Sequence, residues 1–438
     1  MRAKTTAENG FKETEIGLVP DDWEMLELEG NIDLQTGKRM KGGALGKGEV
    51  PSIGGEHLNV EGRILWDKMK FISEGFYTSL KQGKVYETDI LVVKDGATTG
   101  KVAFASKLPS SKIAVNEHVF IVRSTNDKLL NRFLYFYLFS NLGQYQLRLN
   151  YHGIIGGIKR EDVNTIVIPL PPLPEQQKIS FVLSKVQQAI EEQDKIIQIS
   201  KELKKSLMNK LFSEGLHGEE QKETEIGLIP KSWDVVRLGD GSILEMVQYG
   251  ISVRGEPTGQ YPILRMNCLI NGYVANEKLQ FVNIDKRLFD KFKLVEGDIL
   301  FNRTNSIDLV GKTGIFNLKG EYTFASYLIR LKTNKEKLDP GFLNLYLNLD
   351  TSQERLKTLA TRGVSQSNIS GSRLKTFSMP LPPELTKQKE ICNIVSSIDK
   401  KLSQAESRKQ TLQALFTTML NQLMTGRIRV KNLDIKVN

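Results

Sequence analysis

Cysteine is almost missing from this chain: Cys268 and Cys392 are the only two among 438 residues. Two such distant thiols cannot build a disulfide framework and lack the spacing of a zinc site. Histidine is scarce as well, and His57, His118, His152 and His217 show no metal-ligand spacing among themselves or with the cysteines. No apolar run approaches the ~20 residues needed to span a bilayer. The opening Met1-Arg2-Ala3-Lys4-Thr5-Thr6 has no apolar core of a secretory signal. The expectation is a cytoplasmic chain that works without a membrane or a metal. Low-complexity tracts are also lacking, and 39% hydrophobic with 26% charged residues is ordinary folded-protein composition. At 438 residues the size implies two or more domains.

What is present begins with charge. A net +10 and a pI near 9.2 favour a polyanionic partner. Lysine and arginine gain affinity from phosphates by releasing condensed counterions, whatever the base sequence. An acidic protein partner would suit the same charge.

The larger feature is repetition. Lys12-Glu13-Thr14-Glu15-Ile16-Gly17-Leu18-Val19-Pro20 returns 210 residues later as Lys222-Glu223-Thr224-Glu225-Ile226-Gly227-Leu228-Ile229-Pro230. Each copy leads to a tryptophan, Trp23 or Trp233, and then to a poorly matched middle. Each half closes on a second common tract, Pro169-Leu170-Pro171-Pro172 or Pro380-Leu381-Pro382-Pro383. A period this long is unlike a solenoid, whose repeats run to roughly 20–50 residues. Matched ends with unmatched middles suggest one frame presenting two different surfaces.

A heptad pattern follows each closing tract. In the second half the seam reads Ile391, Val395, Ile398, Leu402, Ala405, Lys409, Leu412, Phe416, Met419 and Leu423. A shift of 212 gives Ile179, Leu183, Val186, Ile190, Gln193, Ile197, Ser200, Lys204, Leu207 and Leu211. Such a narrow stripe predicts a helix packed along another helix, with the other copy as the obvious mate. The alternative is two amphipathic helices packed on separate globular domains. Pro174 and the Pro-Pro pair before it allow a helix to begin at Glu175, an acid suited to the positive end of the helix dipole. Gly215, Gly218 and Gly426 are the stop signals. From Glu175 to Leu211 the rod would be about 55 Å long.

The middles read as mixed α/β. Val85 to Val93 and Leu294 to Phe301 are matched strands containing Asp-Ile-Leu, and Ile113–Val122 and Tyr322–Leu331 are a second pair. Leu129–Leu149 and Pro340–Leu359 have helical character.

These tracts together resemble the specificity (S) subunits of type I restriction–modification systems. The resemblance rests on the opening Thr-Glu-Ile-Gly-Leu-(Val/Ile)-Pro…Trp, the Gly-Asp-Ile-Leu-type strand and the paired closing tracts. In this chain the latter run from Gly153-Ile154-Ile155-Gly156-Gly157-Ile158 to Glu175-Gln176-Gln177-Lys178-Ile179, and from Gly363-Val364-Ser365-Gln366-Ser367-Asn368-Ile369-Ser370 to Gln388-Lys389. It covers essentially the whole chain. It implies an α+β architecture with an internal pseudo-twofold repeat: two α/β target recognition domains, each followed by a long helix, and an antiparallel coiled coil between the helices. The corresponding segments are 1–173, 174–215, 216–385 and 386–426, with a tail over 427–438. The resemblance further implies that each domain reads one half of a bipartite site in double-stranded DNA and that the coiled coil sets the unread spacer. Two adenine-N6 methyltransferase (M) subunits using S-adenosylmethionine would bind the chain, and ATP-driven, Mg²⁺-dependent restriction (R) subunits would join them. The same residues also suit the specificity subunit of a type IIB-like system, or a coiled-coil interaction protein with no DNA role.

Catalytic signals are missing. No Asn/Asp-Pro-Pro-(Tyr/Phe) loop of an amino-methyltransferase occurs, because leucine precedes both Pro-Pro pairs. Gly311-Lys312-Thr313 resembles the end of a phosphate-binding loop, but Ser306 stands where its first glycine belongs, so a turn between strands is expected. The expectation is a non-enzyme with no cofactor of its own.

Base-reading residues are sought in the loops. Arginine grips guanine, and glutamine or asparagine grips adenine, each through two hydrogen bonds in the major groove. That selects Arg362, Ser365, Gln366 and Asn368, with first-half counterparts Tyr151, His152, Lys159 and Arg160. Lys38, Arg39 and Lys41 form a basic loop suited to phosphate, matched in the second half by Gln248, Tyr249, Ser252 and Arg254. Arg303, in Asn302-Arg303-Thr304 at a strand end, is a further candidate. Each also has a plain reading as a solvated turn or face.

Overall fold

The computed structural model describes residues 10–149, 151, 156–363 and 366–435. The chain divides into two compact units, Met1–Asp194 with Ser407–Asn438, and Lys195–Glu406. Each is described by itself.

The duplicated opening tract is a β-hairpin. Phe11–Thr14 pairs with Gly17–Pro20, and Gln221–Thr224 with Gly227–Pro230, leaving a two-residue Glu-Ile turn. Gly17 and Gly227 take φ of +104° and +103°, a conformation side chains disfavour, which accounts for glycine in both copies. The Thr14 and Thr224 hydroxyls close the turns by donating to the Gly17 and Gly227 carbonyls at 2.6 and 2.7 Å. Trp23 (0% exposed) and Trp233 (1%) follow as core anchors. The strand Glu24–Glu27 pairs with Val167–Leu170, and Asp234–Arg237 with Ser378–Leu381. The strand that follows each tryptophan therefore pairs with the strand that carries the closing tract, while the opening tract keeps to its own hairpin.

The unmatched middles form the main sheets. In the first unit the strand order is Ile32–Thr36, Val119–Ser124, Ile90–Val93, Val102–Phe104, antiparallel throughout. The second unit repeats this with Leu244–Tyr249, Leu328–Thr333, Ile299–Asn302 and Thr313–Ile315, then adds Tyr273–Val274 and Leu269–Ile270. The expected strands are shorter than the β-rich runs. Val85–Val93 forms a strand only from Ile90, because Asp89 is spent on a turn, accepting from the Tyr86 N–H at 2.8 Å. Asp298 does the same for Val295 at 3.0 Å. The run Ile113–Val122 breaks into Ala114–Val115 and Val119–Ser124, and its partner into Thr323–Phe324 and Leu328–Thr333. Each helical stretch likewise splits, into Asn131–Phe139 with Asn141–Leu149, and Pro340–Leu347 with Asp350–Thr358. Gly311 (φ +93°) makes the turn before Thr313–Ile315, so Gly311-Lys312-Thr313 is a strand entry.

Two long helices, Leu173–Glu214 and Leu385–Met424, follow the closing tracts. The first starts two residues before Glu175 and accommodates Pro174 in its first turn, where a missing N–H costs nothing. Gly215 and Gly426 end the helices in left-handed geometry (φ +70° and +67°). In the first unit Ile179, Leu183, Val186 and Ile190 share a core with Leu412, Phe416, Met419 and Leu423. In the second, Leu207 and Leu211 share one with Ile391 and Val395. The start of each helix thus lies beside the end of the other, which is antiparallel coiled-coil pairing. Ile398 and Ala405 are buried, while Ile197, Ser200 and Leu402 are half-buried. The seam ends also join the globular cores of Trp23 and Trp233, so helix-on-helix and helix-on-domain packing coexist. Compact-unit boundaries accordingly fall inside the helices rather than at their ends. No helix is long and apolar enough to cross a membrane among the described residues.

Candidate nucleic-acid interface

In both units one end of the main sheet gathers loop residues from separate parts of the chain. This end is formed by the exits of the first and central strands and the entry of the strand between them. The segment before the Pro-Leu-Pro-Pro tract joins them. Its register is the same twice over: the Lys94 N–H donates to the His118 carbonyl at 2.9 Å, and the Arg303 N–H to the Tyr327 carbonyl at 3.0 Å. The Ile158 N–H donates to the Lys94 carbonyl at 2.7 Å, and the Ile369 N–H to the Arg303 carbonyl at 2.9 Å. Gly37 and Gly250 hold the first loop against the sheet. A Cβ on Gly37 would lie 1.9 Å from the Val115 carbonyl oxygen, and one on Gly250 2.3 Å from that of Ala325. The frame is repeated; the side chains on it are not.

The second unit brings three of the sequence candidates into contact. The Arg303 guanidinium sits 4.7 Å from the centre of the Tyr249 ring. Its Nη2 donates to Asn368 Oδ1 and its Nη1 to the Ser326 carbonyl, both at 3.3 Å, while Nε has no partner among the described residues. Asn368 is oriented by donating to Thr304 Oγ1 at 2.7 Å. Tyr249, 41% exposed, is pinned by its hydroxyl, which accepts the Gly371 N–H at 2.7 Å. Ser252 and Arg254 are exposed beside them and line a recess of about 290 Å³ with Arg265 and Tyr327. Gln366 is exposed at the next turn. A planar cation stacked on an aromatic ring, next to an oriented amide, is an arrangement suited to base edges and phosphates.

Gln248 does not belong to this group. Its Oε1 accepts a hydrogen bond from Arg330, whose other arm meets Asp298 at 3.4 Å in the interior. Burial pushes the Asp298 carboxyl above its ordinary value in spite of that arginine. Gln248 therefore completes a buried polar network on the far side of its strand, as alternation along a strand requires.

The first unit presents a different surface on the same frame. Lys38, Arg39 and Lys41 are exposed on the first loop, with Arg39 Nε 3.7 Å from Glu117. Lys94 occupies the place of Arg303 and pairs with Asp95 at 2.7 Å. His118, in the place of Tyr327, pairs with Asp95 on one side and lies 3.5 Å from Glu117 on the other. Burial raises the Asp95 carboxyl, but hydrogen bonds from Lys94 and His118 outweigh it and hold the group below its usual value. Lys159 and Arg160 are exposed at the start of the Arg160–Asn164 helix. Tyr151 instead donates its hydroxyl to the Thr99 carbonyl at 3.2 Å and packs on the first core. His152 and Ser365 lie outside the described residues, as does the side chain of Arg362, whose backbone is in the Thr361–Arg362 strand.

Lys94, Asp95, His118, Arg265 and Tyr327 were missed in the sequence. The signal for the first two was available, since aligning the Asp-Ile-Leu strands sets Lys94 opposite Arg303. The others come to this end only through chain pairing.

A family model described as a type I restriction modification DNA specificity domain matches residues 20–201 and 230–414. The chain is similar to the type I restriction enzyme MjaVIII specificity subunit of Methanocaldococcus jannaschii, 26% identical over 449 residues and 98% of each chain. It is also similar to the EcoKI specificity subunit of Escherichia coli, 26% identical over 297 residues, covering 64% of this chain and 62% of the relative. Among solved structures, the type I restriction–modification S subunit from M. genitalium has the same fold, with a TM-score of 0.60 at 16% identity. That match covers 97% of this chain and 99% of the other.

Proposed function

The chain belongs to the type I restriction–modification DNA specificity family, and on that premise we propose how its two units divide the work. Each main sheet reads one half of a bipartite DNA site with the loop end described above. The observation that carries this reading is the repeated frame with unlike side chains: Tyr249, Arg303 and Asn368 in one unit, Lys94, Asp95 and His118 in the other. Different half-sites require different donors and acceptors on one scaffold. A single short contact discriminates by only about 1–3 kcal/mol per base pair, so two linked half-sites multiply specificity if the link is stiff. The paired helices supply that stiffness and set the spacer.

The chain carries no methyl-transfer or cleavage chemistry of its own. The near-identical hairpins and closing tracts offer two equivalent attachment surfaces, which suits two methyltransferase subunits, with restriction subunits joining them. S-adenosylmethionine, ATP and Mg²⁺ belong to those partners.

The test is an exchange of modules. Residues between Trp233 and Pro380 are replaced by those of another family member, and the methylated sequence is read in the assembled complex. One half-site changes and the other stays; a change in both would end the independent-module reading.

A further inference from the structure

The two units differ at one place where the frame would make them alike. In the first unit Phe136 and Phe139 of the Asn131–Phe139 helix pack on Phe416 of the long helix, and Tyr135 packs on both of them. Phe416 lies 6.2 and 6.0 Å from Phe136 and Phe139, ring centre to ring centre. Backbone bonding sets the correspondence with the second unit: Leu130 and Asp339 both donate their N–H to the buried glutamine of the next helix, Gln176 or Gln388. Counting on from there, Asn344 replaces Tyr135 and Asn348 replaces Phe139. The 212-residue helix shift puts Lys204 where Phe416 stands. Two asparagines and a lysine stand where Tyr135, Phe139 and Phe416 fill the space, and a cavity of about 380 Å³ remains.

That cavity is built for charge at one end. Lys201, Lys204, Lys205 and Lys312 line it with Asp350 and Asp399, and Lys201 lies 3.6 Å from Glu406. Lys204 is held by Asp399 at 2.6 Å, and Tyr273 donates to the same carboxylate at 3.0 Å. Lys205 pairs with Asp350 at 2.6 Å in solvent. Lys312 has no ion-pair partner among the described residues. Met208, Leu269, Leu345 and Leu402 supply an apolar wall. Ligand sites of roughly 300–1,000 Å³ combine such a wall with a few convergent polar groups.

We propose that the second unit binds a small organic dianion here, a phosphate monoester on an apolar or aromatic body of about nucleoside-monophosphate size. Lysine suits this ligand because its compact ammonium meets phosphate as a point charge. At Lys312, whose carbonyl accepts the Asn302 N–H at 2.8 Å, the site borders the loop end proposed to read DNA, and in the first unit rings occupy the corresponding space.

Calorimetry on the purified full chain tests it with adenosine monophosphate, inorganic phosphate and uncharged adenosine. Adenosine monophosphate binds saturably at one site per chain, phosphate competes with it, and adenosine binds far more weakly. Lys312→Gln, an exposed change, weakens binding about tenfold through one lost charge-assisted contact. Asn348→Phe, which restores the filling of the first unit, abolishes it, with thermal melting confirming that both variants fold. Absence of saturable binding, or equal binding by both variants and the parent, overturns the proposal. So does an Asn348→Phe chain that binds adenosine monophosphate normally but fails to assemble with methyltransferase, since the cavity would then be a socket for a protein side chain.

Discussion

Gln248 lies in one strand of the main sheet and Arg303 just past the end of another, with Leu328–Thr333 between the two strands, yet the structure gives them opposite work. Arg303 keeps an unpartnered Nε beside an exposed ring, while Gln248 is consumed by Arg330. Arg303→Ala therefore weakens binding at the second half-site by about 1–3 kcal/mol and leaves the first half-site untouched. Gln248→Ala leaves a buried guanidinium short of an acceptor, lowers stability by about 1–3 kcal/mol and does not alter the bases read. Binding assays on half-site variants and urea melts separate the two. Residue type alone made both plausible DNA contacts; Gln248's place opposite Arg330 inside the sheet and Arg303's place past a strand end decided between them.

A second residue-scale finding concerns Arg429, in the segment expected to be a tail. It forms paired bonds to Asp22 at 2.7 and 2.8 Å and to Glu175 at 2.8 and 2.7 Å. Glu175, 2% exposed, also accepts from the Trp23 indole at 3.3 Å. The Arg429 hydrogen bond is the main cause that lowers the Asp22 carboxyl from 3.8 to about 2. A depressed carboxylate stabilises the fold fully above its ordinary value and loses that contribution as pH falls through the depressed one. Stability supplied by this pair thus fades between 3.8 and about 2. Arg429→Gln is expected to be less stable near neutral pH and to show a shallower loss across that acid window, measured by urea melts at several pH values. A stability-versus-pH curve parallel to the parent's would remove Asp22 from the account.

At the scale of elements, the heptads were the most legible feature, while the hairpin fold of the repeated opening tract came from the structure. A period of seven fixes which side of a helix is apolar. The polar seam positions were less legible. Lys409 binds Asp194 at 2.7 Å and Glu61 at 3.0 Å, and Lys204 binds Asp399 at 2.6 Å. They look like defects in a heptad list and prove to be ties from helix to helix or to a globular loop. Such pairs restrict register, because a slip leaves a desolvated charge unmatched. Inserting one heptad into each helix adds about 10 Å of rod and is expected to lengthen the unread spacer by about 3 base pairs at ~3.4 Å each. Methylome sequencing checks it; an unchanged spacer would take the ruler role from the helices.

For the whole molecule, duplication with divergence organises everything else. One frame is used twice, its matched tracts forming the hairpin, the tryptophan anchor and the entry to each long helix. Gln176 and Gln388, both fully buried, clamp those entries by bonding backbone on either side. The purified chain, incubated with S-adenosylmethionine and DNA, is expected to transfer no methyl group until methyltransferase is added; radiolabel incorporation by the chain alone would refute that.

The amino-acid sequence by itself determined the duplication, the two rods and the family, because each depends on spacing along the chain. The Asp-Ile-Leu strands and the turn at Gly311 were visible for the same reason. Only the tertiary structure decided that Tyr249, Arg303 and Asn368 meet, that Gln248 faces inward and that three rings in one unit give way to a cavity in the other. Those outcomes depend on contacts between distant segments, 65 residues apart for Arg303 with Asn368 and 82 for Gln248 with Arg330, where side-chain identity carries no information about which face or neighbour it will find.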